Sequence, residues 1–222
     1  SSHVSFSSPS TSAQALRGAS EIKSGKSFTL QVQMGHPDGD PVWPGRTGAT
    51  RYNIMDRGNY LGGNGVVFDG AMEYADDVMI MFLQGSSQYD ALGHVWYGDE
   101  IYNGYPAETT TGGLKKCSVL PIAERGVVGR GILLDIARYR GKKVLDRGET
   151  FDHNDLMAAA KSQGVEIQKR DILLVRTGWI GAFYTTPREE FYKDFIEPGL
   201  TYSPELVSWF HEMEIPNLVT DT

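Results

Sequence analysis

The densest run of side chains able to do chemistry is Gln84-Gly85-Ser86-Ser87-Gln88-Tyr89-Asp90-Ala91-Leu92-Gly93-His94, directly after the apolar run Val78-Met79-Ile80-Met81-Phe82-Leu83. In an extended backbone, side chains two and four apart point the same way. Gln84, Ser86, Gln88 and Asp90 would then share a face, with His94 one short turn beyond. A carboxylate and an imidazole within reach of each other supply a general base near neutral pH, or two metal ligands. The same residue types also suit a plain polar strand end, with Asp90 capping a turn and His94 half-buried. Trp96, Tyr97, Tyr102 and Tyr105 crowd the segment after His94. Such a cluster either fills a core or clamps a flat ring beside a reactive loop.

Other chemistries find little support. The Gly-dense stretch from Gly58 to Gly70 contains no GxxxxGK[ST] and does not bridge a strand to a helix, so it reads as a loop needing positive φ. Neither a GxSxG elbow nor HExxH occurs. Cys117 is the single cysteine, which excludes intramolecular disulfides, Cys-based zinc sites and CxxC redox chemistry, and it reads as structural or incidental. His3, His36, His153 and His211 lie in a polar start, a Gly-Pro loop, a helix cap and a helix end, where structural roles suffice.

The elements that must position these residues follow from pattern. Ala13 to Ile22 has helical composition, and Phe28 to Met34 alternates as a half-buried strand does. Gly35 to Gly70 reads as a long irregular stretch. Val78–Leu83, Gly131–Ala137 and Asp171–Arg176 read as buried strands. Asp152, with Asp155 three residues on, caps a helix over Leu156 to Gln163 that Gly164 ends. Ser203-Pro204 opens another helix, Glu205 to Met213, and Asn217 to Thr222 reads as a strand. Helices alternating with strands, after a β-rich and loop-rich first half, predict an α/β or α+β fold: one domain over residues 1–222. Because the chain stops within that last strand, the domain is expected to continue past Thr222.

Composition bounds the partners. Twenty-one basic against 28 acidic residues give a net charge of −7 over 222 residues. That balance argues against a nucleic-acid surface or binding to anionic lipid. No apolar run reaches the ~20 residues a membrane helix needs, and the Ser-rich start has no signal-peptide pattern. A soluble, cytoplasmic protein is expected.

Several ordered segments resemble the cyclase family of hydrolases, which includes bacterial kynurenine formamidases and isatin hydrolases. Val42-Trp43-Pro44-Gly45 is similar to that family's "WPG" loop, Gln84 to His94 to its signature HxGTHxDxPxH, and Gly131 to Ala137 to its "RGVLLDV" strand. Asp171 to Trp179 is similar to "GDIVLIRTGW", and Thr220-Asp221-Thr222 to the start of "TDTPSID". The resemblance implies a central mixed β-sheet flanked by helices, of swivelling β/β/α type. It makes Asp90 a metal ligand and His94 a general acid/base. Gln84 and Gln88 stand where the family has two metal-binding histidines, and Leu92 where it has proline. The chain thus looks like a divergent subgroup. A neutral amide oxygen is a weak ligand that prefers harder ions, so the exchange lowers zinc affinity.

The resemblance therefore implies a hydrolase of a small amide, lactone, imide or related carbonyl compound. A divalent ion (Mn, Zn or Mg) near Asp90, Gln88 and Gln84 would activate water, and His94 would move the proton. Trp43, Trp96 and Tyr97 would shape a pocket for an aromatic or planar substrate. Two alternatives stay open: a metal-independent His/Asp enzyme for cyclisation, dehydration or isomerisation, and a non-catalytic small-molecule-binding relative. The resemblance further implies a homodimer or homotetramer.

Overall fold

A computed structural model of the chain describes residues 12–222; the Ser-rich start and His3 lie outside them. The described residues form two compact units, residues 28–89 and residues 12–27 together with 90–222. Among them no helix is long and apolar enough to cross a membrane.

The chain opens with α1 (Ser12–Ser20), part of the larger unit, and then builds the smaller unit from β1 (Thr50–Met55), α2 (Arg57–Leu61) and β2 (Asp76–Ile80). Strands β1 and β2 form an antiparallel ribbon, with Tyr52 opposite Val78 and Thr50 opposite Ile80. Three expectations change here. The run Val78–Leu83 is not a buried strand: β2 ends at Ile80, and all five of its residues are exposed. The segment 28–34 forms no ladder either. The side chains of Ser86 and Ser87 bond its backbone instead: Ser86 Oγ donates to the Val32 carbonyl (2.8 Å), and the Val32 N–H donates to Ser87 Oγ (2.7 Å). The stretch 35–70, read as irregular, contains β1 and α2. The alternation of Tyr52 and Ile54 with Arg51 and Asn53 was the available signal. Asp56 and Asn59 cap α2 reciprocally.

In the larger unit, β3 (Glu100–Ile101) and β4 (Tyr105–Pro106) make a short hairpin, followed by α3 (Leu120–Arg125). Then come β5 (Gly131–Asp135), α4 (Ile136–Tyr139), β6 (Thr150–Phe151), α5 (His153–Ser162) and β7 (Ile172–Arg176). After them follow α6 (Trp179–Thr185), α7 (Arg188–Phe191), β8 (Gly199–Leu200), α8 (Pro204–Glu212) and β9 (Asn217–Thr220). Strands β5, β7 and β9 form a parallel sheet with β7 in the centre, and β6 pairs with β8, also in parallel. Parallel neighbours need crossovers, and helices supply them here. This is the α+β class that the pattern predicts, with parallel and antiparallel pairings in separate sheets. Leu134, Ile136, Leu156 and Leu173 are fully buried in the main core, where α5 packs through Ala159 and Ala160. The capping box of Asp152 and Asp155 starts α5, and the Ser203 side chain accepts the Leu206 N–H to start α8, as read from the sequence.

A carboxylate stands at each end of β7, wholly buried at one end and partly buried at the other. Asp171, just before it, is wholly buried and accepts from Arg17, from Arg130 Nη1 (2.8 Å) and from the Gln168 N–H (2.8 Å). Arg17 belongs to α1 and also donates to the Lys169 carbonyl (2.7 Å). Gly18 lets α1 lie this close, because a Cβ there would sit 2.5 Å from the Gly129 carbonyl oxygen. Beyond the other end, Asp221 accepts from the Thr177 N–H (2.6 Å), Thr177 Oγ1 (2.7 Å) and the Gly178 N–H (2.8 Å). Gly178 has φ 84, and a Cβ there would come within 2.3 Å of the Lys143 carbonyl oxygen.

Asp171→Asn removes the anion and leaves two arginines facing a neutral amide. Loss of one partner from a buried ion pair costs about 3–5 kcal/mol. Chemical denaturation at neutral pH should show that loss, and an unchanged midpoint would show that Asp171 does not hold the sheet.

Candidate functional site

The run from Leu83 to His94 does not stay extended. It turns at Leu83–Gln84, and Ser86 takes φ 68, in the left-handed region. The two-residue alternation that would align Gln84, Ser86, Gln88 and Asp90 is therefore broken. Gln84 and Gln88 belong to the smaller unit, Asp90 and His94 to the larger.

In the smaller unit, Trp43 to Arg46 form a tight turn closed by the Arg46 N–H on the Trp43 carbonyl (2.9 Å). Pro44 and Gly45 (φ 96) hold its two central positions, which they suit. Val42 bridges to Gly85, and Arg46 Nη1 donates to the Gln84 carbonyl (3.2 Å). Gly85 is needed for that approach: a Cβ would lie 2.8 Å from Val42 Cγ1. The structure thus brings the Trp43 loop and Gln84 together. Arg46, directly after the Pro-Gly pair, is the part of this arrangement that the sequence reading missed. Gln88 is exposed, and Trp43 is about half exposed.

In the larger unit, Ala91 to His94 form a tight turn in which the His94 N–H donates to the Ala91 carbonyl (2.9 Å). The turn is anchored through Gly93, which is buried and donates its N–H to the Cys117 carbonyl (3.2 Å). A Cβ on Gly93 would lie 2.9 Å from Leu114 Cδ2 and 3.3 Å from the Lys116 carbonyl oxygen. The close approach of segment 114–117 requires a glycine at this position. Cys117 Sγ faces the Tyr102 carbonyl (3.5 Å), and burial, then Cys117, pushes the Tyr102 hydroxyl above its ordinary range. Asp90 is exposed and His94 half-buried. Neither side chain is hydrogen-bonded or ion-paired to the other or to any described residue. Both are therefore available to a small molecule at this turn. Trp96 is 41% exposed and Tyr97 93% exposed, so neither fills the core.

No group of three His, Cys, Asp or Glu side chains able to hold a metal ion occurs among the described residues. Gln84 and Gln88 add only neutral amide oxygens. This donor set does not fit a zinc-type centre, which uses imidazole, thiolate or carboxylate ligands.

A family model described as "Putative cyclase" matches residues 27–222. The chain belongs to that family. A solved structure described as a novel cyclase is 30% identical, and the match covers 96% of this chain and 71% of that one, with a TM-score of 0.83. No curated protein is similar enough to count as a match. In this cyclase-family chain, the signature region therefore divides into a Gln84 segment braced by the Trp43 turn and an Asp90–His94 turn braced by segment 114–117.

Gly93→Ala forces either Leu114 or the backbone at Lys116 to move. Overpacking of this kind costs about 1–3 kcal/mol. Thermal unfolding should register the loss, and wild-type stability in the variant would mean that the turn is not tightly packed.

Proposed function

We propose that this cyclase-family protein is a hydrolase of a small amide, lactone, imide or related carbonyl compound, with His94 as general acid/base. The observation that carries the reading is the Asp90–His94 turn. A carboxylate and an imidazole stand on five consecutive residues, fixed by Gly93, with both side chains uncommitted. The likeness of Gln84–His94 and of the Trp43 loop to kynurenine formamidases and isatin hydrolases supports hydrolysis over other carbonyl chemistry. It also supports placing the chain in a subgroup with Gln at two metal-ligand positions.

The reaction runs on protein groups. His94 accepts a proton from water as its oxygen attacks the carbonyl carbon, and the carbonyl becomes a tetrahedral oxyanion. The oxyanion then re-forms the carbonyl, the C–N or C–O bond breaks, and the His94 imidazolium returns its proton to the leaving nitrogen or oxygen. One water is consumed. Asp90 supplies an acceptor for the substrate N–H or the attacking water. The open rings of Trp96 and Tyr97 favour an aromatic or planar substrate. The exposure of Tyr97, and of Tyr52, Val78 and Ile80 on the β1–β2 ribbon, supports assembly as a homodimer or homotetramer.

The test is turnover of aryl formamides and cyclic imides by the purified chain. His94→Ala should lose at least a hundredfold in kcat, the range of general acid–base catalysis, and Asp90→Asn at least tenfold, with circular dichroism unchanged. Metal analysis should find no stoichiometric ion that survives chelation, and light scattering should find more than one copy. Full activity in His94→Ala would overturn the assignment; so would activity that is lost on chelation and restored by one divalent ion per chain.

A further inference from the structure

The larger unit contains a second concave site that shares no residue with the Asp90–His94 turn. Met157, Ala160, Lys161 and Gly164 recur at the three- and four-residue spacing of one helical stripe along α5 and just past its end. Trp209 and Met213, four residues apart at the end of α8, line the same cavity of about 640 Å³. That volume falls in the range of small-molecule sites, roughly 300–1,000 Å³. Ala160 and Gly164 leave the space open between the two helices.

The walls are fixed in advance of any ligand. α5 is anchored by the buried Leu156, Ala159 and Ala160, and Trp209 and Met213 pack on the main core. The indole of Trp209 stacks on His153 (centroids 5.9 Å apart, planes 30°) and meets Phe210 edge-on (5.3 Å, 72°). The His153 Nδ1 atom is buried without a hydrogen-bond partner, so ring contact rather than a polar bond holds that imidazole. An indole that lines a cavity together with the thioether side chains of Met157 and Met213 offers a surface to another aromatic ring.

The polar lining is of two signs. Lys161 and Glu166 both border the cavity, and neither side chain is ion-paired to the other or to any described residue. A ligand with only an anion meets one favourable and one unfavourable charge, and so does a ligand with only a cation. A ligand with both can satisfy both. We propose that the α5–α8 groove binds a small aromatic molecule carrying one anionic and one cationic group, through Trp209, Lys161 and Glu166.

Calorimetric titration of the full chain with three indoles tests this: tryptophan with both charges, indole-3-propionate with the anion only, and tryptamine with the cation only. Tryptophan should bind at least threefold more tightly than either of the others. Trp209→Ala should weaken tryptophan at least tenfold. Lys161→Glu, at an exposed position, should weaken it at least fivefold while strengthening tryptamine, and it carries the test if Trp209→Ala does not fold. His94→Ala should bind tryptophan as the wild type does, which separates this groove from the proposed hydrolytic turn. Equal binding of the three indoles, no binding of tryptophan at millimolar concentration, no effect of Lys161→Glu, or loss of binding in His94→Ala each overturns the proposal.

Discussion

Strand β7 depends on carboxylates at both ends, and the larger unit depends on β7. Taking a carboxylate such as Asp171 out of water costs several kcal/mol unless charged and backbone donors replace the lost hydration. Two guanidinium groups and an N–H do so, drawn from α1, from the residue before β5 and from the turn before β7. One side chain thereby fixes three elements. Asp221 repeats the device at the far end, where one carboxylate spans the residues beyond β9 and the start of α6. The apolar core supplies most of the driving force, but it is non-directional. The two carboxylates select the register in which β5, β7 and β9 run side by side, and so set the places of α5 and α8.

Much of this was legible in the sequence, because local chemistry and tertiary role agree there. Asp152 with Asp155, Ser203 with Pro204, and the apolar runs near 132 and 173 each predict their element and receive it. Leu133, 56% exposed between two buried neighbours, shows that β5 is covered on one side rather than both, which a continuous apolar run does not reveal. The smaller unit was read less well. Its apolar residues mark a two-stranded ribbon and not a buried strand, and its segment 28–34 is held by serine hydroxyls from 54 and more positions away. No local pattern encodes such a pairing.

The candidate site shows the same division. Asp90 and His94 stand out by type and spacing; His94 closes the Ala91–His94 turn and Asp90 directly precedes it. The expected alignment with Gln84 and Gln88 failed because it assumed extended backbone, whereas Ser86 is left-handed and Gly85 is pressed against Val42. What fixes the turn is Gly93, whose value lies in having no side chain, and only a structure shows what would collide with one. Family membership is shown over residues 27–222. The chemistry still rests on what the side chains at positions 90 and 94 can reach.

The proposed hydrolysis turns on an imidazole at position 94 that carries the proton between water and leaving group. Chemical rescue tests it most directly. In His94→Ala, added imidazole should restore turnover of an aryl formamide in a saturable manner in chelator-treated buffer, and more strongly for the smaller of two imidazoles of equal basicity, because the cavity left by the deletion limits entry. If imidazole restores nothing while a divalent ion alone restores the wild-type protein after chelation, the proton-transfer role is contradicted and the reaction belongs to a metal centre.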